Sequence, residues 1–282
     1  MNHGFFKVIK VVNNNVILAL EMATNKEVMA IGKGVGFGKK TGEEHYYKPG
    51  IIEKTYISRN DEIGNEFYKL LNQIDMEIIG LSEEIIFHAE KKLGKLNSHI
   101  HIALTDHISF ALERIKEGLI IENPFLFEIK TMYDDEYEIA EEVALVIRKR
   151  FNIDIPDSEK GYIALHLNSA RQSKDIKETL KDTKVIKGII EILNEELNMK
   201  IQEDKLSYSR LLTHLKYVIN ISTENNELQN PLLSDIKKEF KNSFKIAKKV
   251  ADYLKKKLNV VLNENELGYL ALHLERIKKF KN

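Results

Sequence analysis

The chain has 282 residues, 43% of them hydrophobic, with 43 basic side chains, 43 acidic ones and no cysteine. This is the composition of a globular chain with room for two or three domains; it excludes disulfides and cysteine-ligated metal centres, and its balanced charge points to no acidic or basic partner. No apolar run approaches the roughly 18–20 residues that span a bilayer, and lysine and asparagine come too early at the N-terminus for a signal peptide, so the expectation is a cytoplasmic protein without membrane insertion.

Residues 1–58 alternate and are rich in β-branched side chains, as in FFKVIKV at 5–11, NVILALE at 15–21, EVMAIG at 27–32 and IIEKTYI at 51–57. This predicts a small antiparallel sheet of about four strands, with Asn13-Asn14 turning the first hairpin because asparagine tolerates positive φ. So small a sheet has little core of its own and needs a partner, most simply its twin in a second copy of the chain. Within it, GKGVGFGKK at 32–40 combines four glycines, three lysines and one phenylalanine, and residues 1–56 hold eight lysines against five glutamates. Two readings stay open for this stretch. One is a nucleic-acid surface, with lysines on phosphates and Phe37 stacked on a base; the other is a glycine-rich hairpin with solvated lysines and a core Phe37. The glycines alternate and do not fit the GxGxxG dinucleotide fingerprint.

Residues 59–64 (RNDEIG) are polar and read as a linker, after which the apolar period becomes helical. FYKLLNQI at 67–74, EEIIFHAEKKL at 83–93, HIALTDHISFALERI at 101–115 and YEIAEEVALVIRKRF at 137–151 all place apolar residues three and four apart. Asp157-Ser158-Glu159 is expected to cap a helix carrying GYIALHLNSA, and Asn263 to Glu266 plays that part further on. RQSKDIKETLKD at 171–182 is polar and serves as a joint or as another helix. The fold class is therefore multi-domain: a small antiparallel β-sheet domain at 1–58, then two homologous all-α helical bundles at 65–172 and 173–282.

The homology is internal. GYIALHL at 161–167 returns as GYLALHL at 268–274, an offset of 107, and the same offset carries His107 onto His214, Asn123-Pro124 onto Asn230-Pro231, Asn152 onto Asn259 and Glu159 onto Glu266 without a gap. Two histidines therefore recur in each copy, 59 positions apart (166 − 107 and 273 − 214). A single such histidine is more often an inert core residue; two matched pairs in otherwise divergent copies favour a function. Metal-ligand spacings HxxxH and HxxH are absent, and His99-Ile100-His101 has no counterpart in the second copy. A GxSxG elbow, a P-loop and a kinase signature are absent too. Phosphoryl acceptance by a neutral imidazole remains, since histidine titrates near neutral pH.

These motifs resemble the BglG/LicT/SacY-type transcriptional antiterminators along the whole chain. KVVNNNV at 10–16 and GKGVGFGKKTGE at 32–43 are similar to that family's co-antiterminator RNA-binding domain. LTDHISFA at 104–111 with GYIALHL resembles its first phosphotransferase-system regulation domain, and LLTHLKY at 211–217 with GYLALHLER its second. The resemblance implies a dimeric four-stranded sheet that binds an RNA hairpin through Asn15, Gly32, Lys33 and Phe37. It implies phosphoacceptors at His107, His166, His214 and His273. The first pair would be inhibitory and served by a sugar-specific permease (enzyme II), the second activating and served by the phosphocarrier protein HPr. It also implies a homodimer, no enzymatic activity, no metal and no cofactor. Asp106 beside His107, where the second copy has Thr213 beside His214, is expected to orient the first imidazole. A DNA-binding activator with the same regulatory domains and a histidine-based metal hydrolase are the alternatives.

Overall fold

The structure is a computed structural model and describes residues 4–56, 66, 69–70, 73–221 and 229–279. The expected linker at 59–64 and half of the apolar stretch at 67–74 lie outside the described residues. The described chain divides into two compact units, residues 1–123 with 135–175 and residues 124–134 with 176–282.

In the first unit, strands β1 (Phe5–Asn13), β2 (Val16–Glu21), β3 (Lys26–Ile31), β4 (Glu44–Tyr46) and β5 (Lys54–Tyr56) form an antiparallel sheet in the order β4-β1-β2-β3-β5. The three central strands are the ones the alternation predicts. A fifth strand appears because Glu44-His45-Tyr46 pairs with β1; three residues with one aromatic carry no readable apolar pattern. Strand β2 is apolar on both faces. Ile17 and Ala19 join Phe6, Val8, Val28, Ala30, Val35 and Tyr47 on one side. Val16 and Leu18 join Val12, Met29 and Ile31 on the other. Register shifts in β1 between Val8 and Lys10 and between Val11 and Asn13 let that strand feed both layers. The second layer is closed by Ile79 of helix α1 (Met76–Leu93), with Ile74, Met76, Phe87 and Ile102 around it. The cover that so small a sheet requires thus comes partly from within the same chain.

The remaining helices of the first unit are α2 (Ile100–Lys116), α4 (Asp134–Phe151) and α5 (Asp157–Arg171), α3 (Leu126–Met132) lying between them in sequence but in the second unit. The second unit adds α6 (Ile176–Leu197), α7 (Lys205–Ile221), α8 (Leu233–Glu239), α9 (Lys241–Leu258) and α10 (Glu264–Lys279). The polar stretch at 171–182 is mostly helical: α6 begins at Ile176, leaving a short turn after α5.

The 107-residue offset is visible in backbone detail. Asn152 and Asn259 both end their helices in the left-handed region, at φ 56° and 58°, a conformation asparagine tolerates. Tyr162 Oη donates to Glu122 O, and Tyr269 Oη to Gln229 O. Asn123 and Asn230, 9% and 7% exposed, each donate a side-chain amide N–H to a carbonyl 35 residues ahead, Ser158 O and Asn265 O. These bonds tie the start of each histidine-bearing helix, α5 and α10, to the chain ahead of it.

Candidate functional site

Helix α2 carries His107 and packs against α5, which carries His166; α7 carries His214 and packs against α10, which carries His273. Both helix pairs set their imidazoles face to face. The ring centroids of His107 and His166 are 4.8 Å apart and tilted by 33°, those of His214 and His273 are 4.9 Å apart and tilted by 34°. All four rings are partly exposed, so none is sealed in the core. Burial holds them uncharged. It lowers the pKa of His107 to about 3, helped by His166 and Arg114. It lowers that of His166 to about 4 and, with His273 assisting, that of His214 to about 4. For His273 the shift is also downward, caused by burial and then by the cations Arg276 and Arg210. A neutral imidazole keeps a nitrogen lone pair, so each pair presents nucleophiles at neutral pH.

The surroundings of the two pairs differ. In the first, Glu159 is 1% exposed, accepts a 2.8 Å bond from Arg114 and brings its other oxygen to 3.5 Å from His107 Nε2. Asp106, expected to orient this ring, is exposed at the surface; the carboxylate facing the imidazole is Glu159. The expectation that Asp157-Ser158-Glu159 caps α5 also needs correcting. Pro156 occupies the N-cap without a side-chain bond, and Asp157 is the first helical residue. Only the second copy forms a reciprocal cap, with Glu266 N–H donating to Asn263 Oδ1 and Asn263 N–H to Glu266 Oε2. His101, half of the HxH sequence, is a buried partner of Glu83 at 2.9 Å. Among the described residues no three His, Asp or Glu side chains converge as metal ligands.

On the sheet, the glycine-rich turn folds back onto the β1–β2 hairpin. Gly34 N–H donates to Asn15 Oδ1 and Gly32 N–H to Asn15 O, both at 3.0 Å. A side chain at Gly32 would meet Ile51 O at 1.9 Å, so only glycine lets the chain pass. Val35 is fully buried in this turn while Phe37 is 72% exposed. That removes the reading of Phe37 as a core residue and leaves its apolar ring in solvent, on the same turn as exposed Lys33. Asn15, Gly32, Lys33 and Phe37 are thus brought to one turn region. Helix α1 reaches the same place: Glu84 Oε1 accepts from Asn13 Nδ2 (3.0 Å) and Asn15 Nδ2 (3.2 Å), while Glu84 Oε2 accepts from Arg150 (2.7 Å). Sequence reasoning passed over Glu84, Arg114 and Arg150, because nothing in local pattern separates a charged residue facing a distant element from one facing water.

Comparison with known proteins bears on both regions. The PRD domain family model matches residues 83–170 and 187–277, and the CAT RNA binding domain model matches residues 6–65. The chain is 34% identical over 277 residues to the transcription antiterminator LicT of Bacillus subtilis, covering 97% of this chain and 99% of that protein. It is 31% identical over 280 residues to the beta-glucoside operon antiterminator of Dickeya chrysanthemi, covering 96% of each. A crystal structure of GlcT CAT-PRDI aligns with a TM-score of 0.50 and 41% identity, over 59% of this chain and 98% of that one.

Proposed function

The chain belongs to the family of transcription antiterminators that join a CAT RNA-binding domain to two PRD domains, and from that membership we propose that it binds an RNA hairpin in nascent message and so prevents a terminator from forming. Control comes from phosphorylation of His107, His166, His214 and His273 by the sugar phosphotransferase system. The observation that carries the regulatory half of this reading is the doubled imidazole pair, neutral and partly open, repeated at 4.8 and 4.9 Å. The donors are a sugar permease for the first pair and the phosphocarrier protein HPr for the second. The RNA-binding half is supported by the exposed Phe37 and Lys33 side chains and by the turn that Gly32 and Asn15 hold.

The chemistry is a phosphoryl transfer onto nitrogen. A lone pair of the acceptor imidazole forms the new N–P bond while the bond from phosphorus to the donor's side chain breaks and its electron pair returns to the donor atom. The product adds up to about two negative charges to a ring that was neutral. Such a change at a paired surface shifts a dimer equilibrium by the few kcal/mol that switching needs.

Incubation with the phosphocarrier and its phosphate source, followed by mass spectrometry without acid, should place phosphoryl groups on His214 or His273. The variant carrying both His214→Asp and His273→Asp should show more dimer by sedimentation and antiterminate without the phosphocarrier. Absence of phosphoryl on all four histidines would refute the regulatory reading.

A further inference from the structure

The two histidine pairs share ring geometry and differ in what lies beneath the first ring. A buried Nε2 without a hydrogen-bond partner is common to both pairs, on His107 and on His214; at the first pair Arg114 Nε and Glu159 Oε2 are left unpaired as well. Buried polar atoms are rarely left unpaired. Here a ring nitrogen, a guanidinium N–H and a carboxylate oxygen are left so within one ion-paired cluster, joined by the 2.8 Å Arg114–Glu159 contact and the 3.5 Å approach of Glu159 to His107. At the second pair the matching glutamate, Glu266, is tied to Asn263 at its own helix start, and Ile221 stands in the register position of Arg114. A single position accounts for the fate of the glutamate. Pro156 stands where the second copy has Asn263; a proline side chain accepts no hydrogen bond from the helix start. Glu159 therefore has no reciprocal cap to make and turns inward.

We propose that Arg114 and Glu159 form a latch between α2 and α5 that a phosphoryl group on His107 opens, and that the second pair, lacking this latch, takes up phosphoryl without parting its helices. The inference rests on the reading of His107 as an acceptor. The unprotonated ring nitrogen of His107 forms the N–P bond, the other ring nitrogen keeps its proton, and the donor's leaving nitrogen departs with the electrons of its own P–N bond. The new dianion then stands where Glu159 already holds negative charge, and like charges at this separation in a buried site repel strongly. Arg114, with an unused Nε–H and a guanidinium fork suited to phosphate, exchanges the carboxylate for the phosphoryl oxygens. Glu159 is left without its cation, and the buried ion pair that joined α2 to α5 is lost. One modification therefore opens the helix pair in the first copy and leaves it closed in the second.

The test uses the full chain and phosphoramidate, a small donor that phosphorylates histidine and releases ammonia, so that no protein donor is needed. Phosphoryl occupancy is read per histidine by mass spectrometry without acid, and helix opening by amide hydrogen exchange. In the unaltered chain, phosphorylation should raise exchange in residues 157–171 several-fold and leave 264–279 unchanged. Glu159→Gln should raise occupancy at His107 about tenfold, the effect of relieving one buried like-charge contact, and abolish the rise in exchange. Should that buried substitution unfold the chain, Pro156→Asn supplies the second arm. It rebuilds the Asn263–Glu266 cap in the first copy, draws Glu159 away, and should likewise abolish the phosphorylation-dependent exchange. Arg114→Gln should shorten the lifetime of phosphoryl on His107 several-fold and leave His214 and His273 unaffected. Phosphoryl on His107 with unchanged behaviour in the Glu159 and Pro156 variants overturns the latch alone. No phosphoryl on any histidine overturns the latch and the acceptor reading together.

Discussion

Each imidazole is poised by being kept neutral in a place where charging it is costly, and that has a consequence for stability. In the unfolded chain a histidine takes up a proton near pH 6.5. In the folded chain His107 does so only near pH 3, His166 and His214 near pH 4, all because burial disfavours the charged ring. Between these limits the unfolded state binds more protons than the folded one. Stability is therefore complete above pH 6.5, falls as the pH drops toward 4, and stops falling on account of these groups below their folded values. The thermal midpoint should drop by several degrees between pH 7 and pH 5, and the variant carrying His107→Gln and His214→Gln should show a shallower slope. A midpoint independent of pH in that window would mean the rings are solvated and ordinary. The positions and pairing of these residues were legible in the sequence from the repeat alone. The inward turn of Glu159 was not. Asp157-Ser158-Glu159 looks like an N-terminal cap in one dimension, and only the contact with Arg114, 45 residues earlier in the chain, separates a capping glutamate from a buried one.

At the scale of elements, α1 links the helical region to the glycine-rich turn of the sheet, the RNA surface proposed above. Its apolar side closes the second sheet layer through Ile79. Its Gly80 lies so close to Asn13 that a side chain there would meet Nδ2 at 2.2 Å, and one turn on Glu84 takes hydrogen bonds from both Asn13 and Asn15. With its Nδ2 turned to Glu84, Asn15 presents less of its amide to an RNA acceptor, and a carboxylate close by repels phosphate. Glu84→Gln keeps the shape and removes the charge. Affinity of the full chain for an RNA hairpin should rise by roughly fivefold, about 1 kcal/mol for one such contact, with Glu141→Gln on the exposed side of α4 as the charge control. A fall in affinity would instead make Glu84 the residue that holds Asn15 ready for RNA. The strands and helices that make this junction follow from periodicity, which reports the faces a segment buries. The junction itself does not, since Asn13 and Glu84 are 71 residues apart and neither belongs to an apolar pattern.

Across the whole molecule the sequence repeat and the compact units disagree in one segment. By register, α3 belongs with the first bundle, as its counterpart α8 belongs with α9 and α10. Instead α3 packs on α6 and α7 within the second unit. The Phe127 and Tyr208 rings lie 5.3 Å apart. Lys216 Nζ donates to Met132 O at 2.6 Å and sits 4.7 Å from the Tyr133 ring, and the hydroxyls of Tyr133 and Thr183 approach to 3.4 Å. A duplicated sequence conserves what each copy folds by itself, so a segment lent to the other unit leaves no mark in the register. The chain thus enters the second unit at Pro124, leaves after Asp134 and returns at Ile176. A cut at 172/173, where the repeat alone divides the bundles, would strip the second unit of this helix. Ile129 is fully buried within it, so Ile129→Ala should cost about 2–4 kcal/mol, the usual range for truncating a core isoleucine. Hydrogen exchange should rise in residues 176–221 and stay near its original level in residues 100–116. The reverse pattern would place α3 with the first bundle, as the repeat and the family match over residues 83–170 have it.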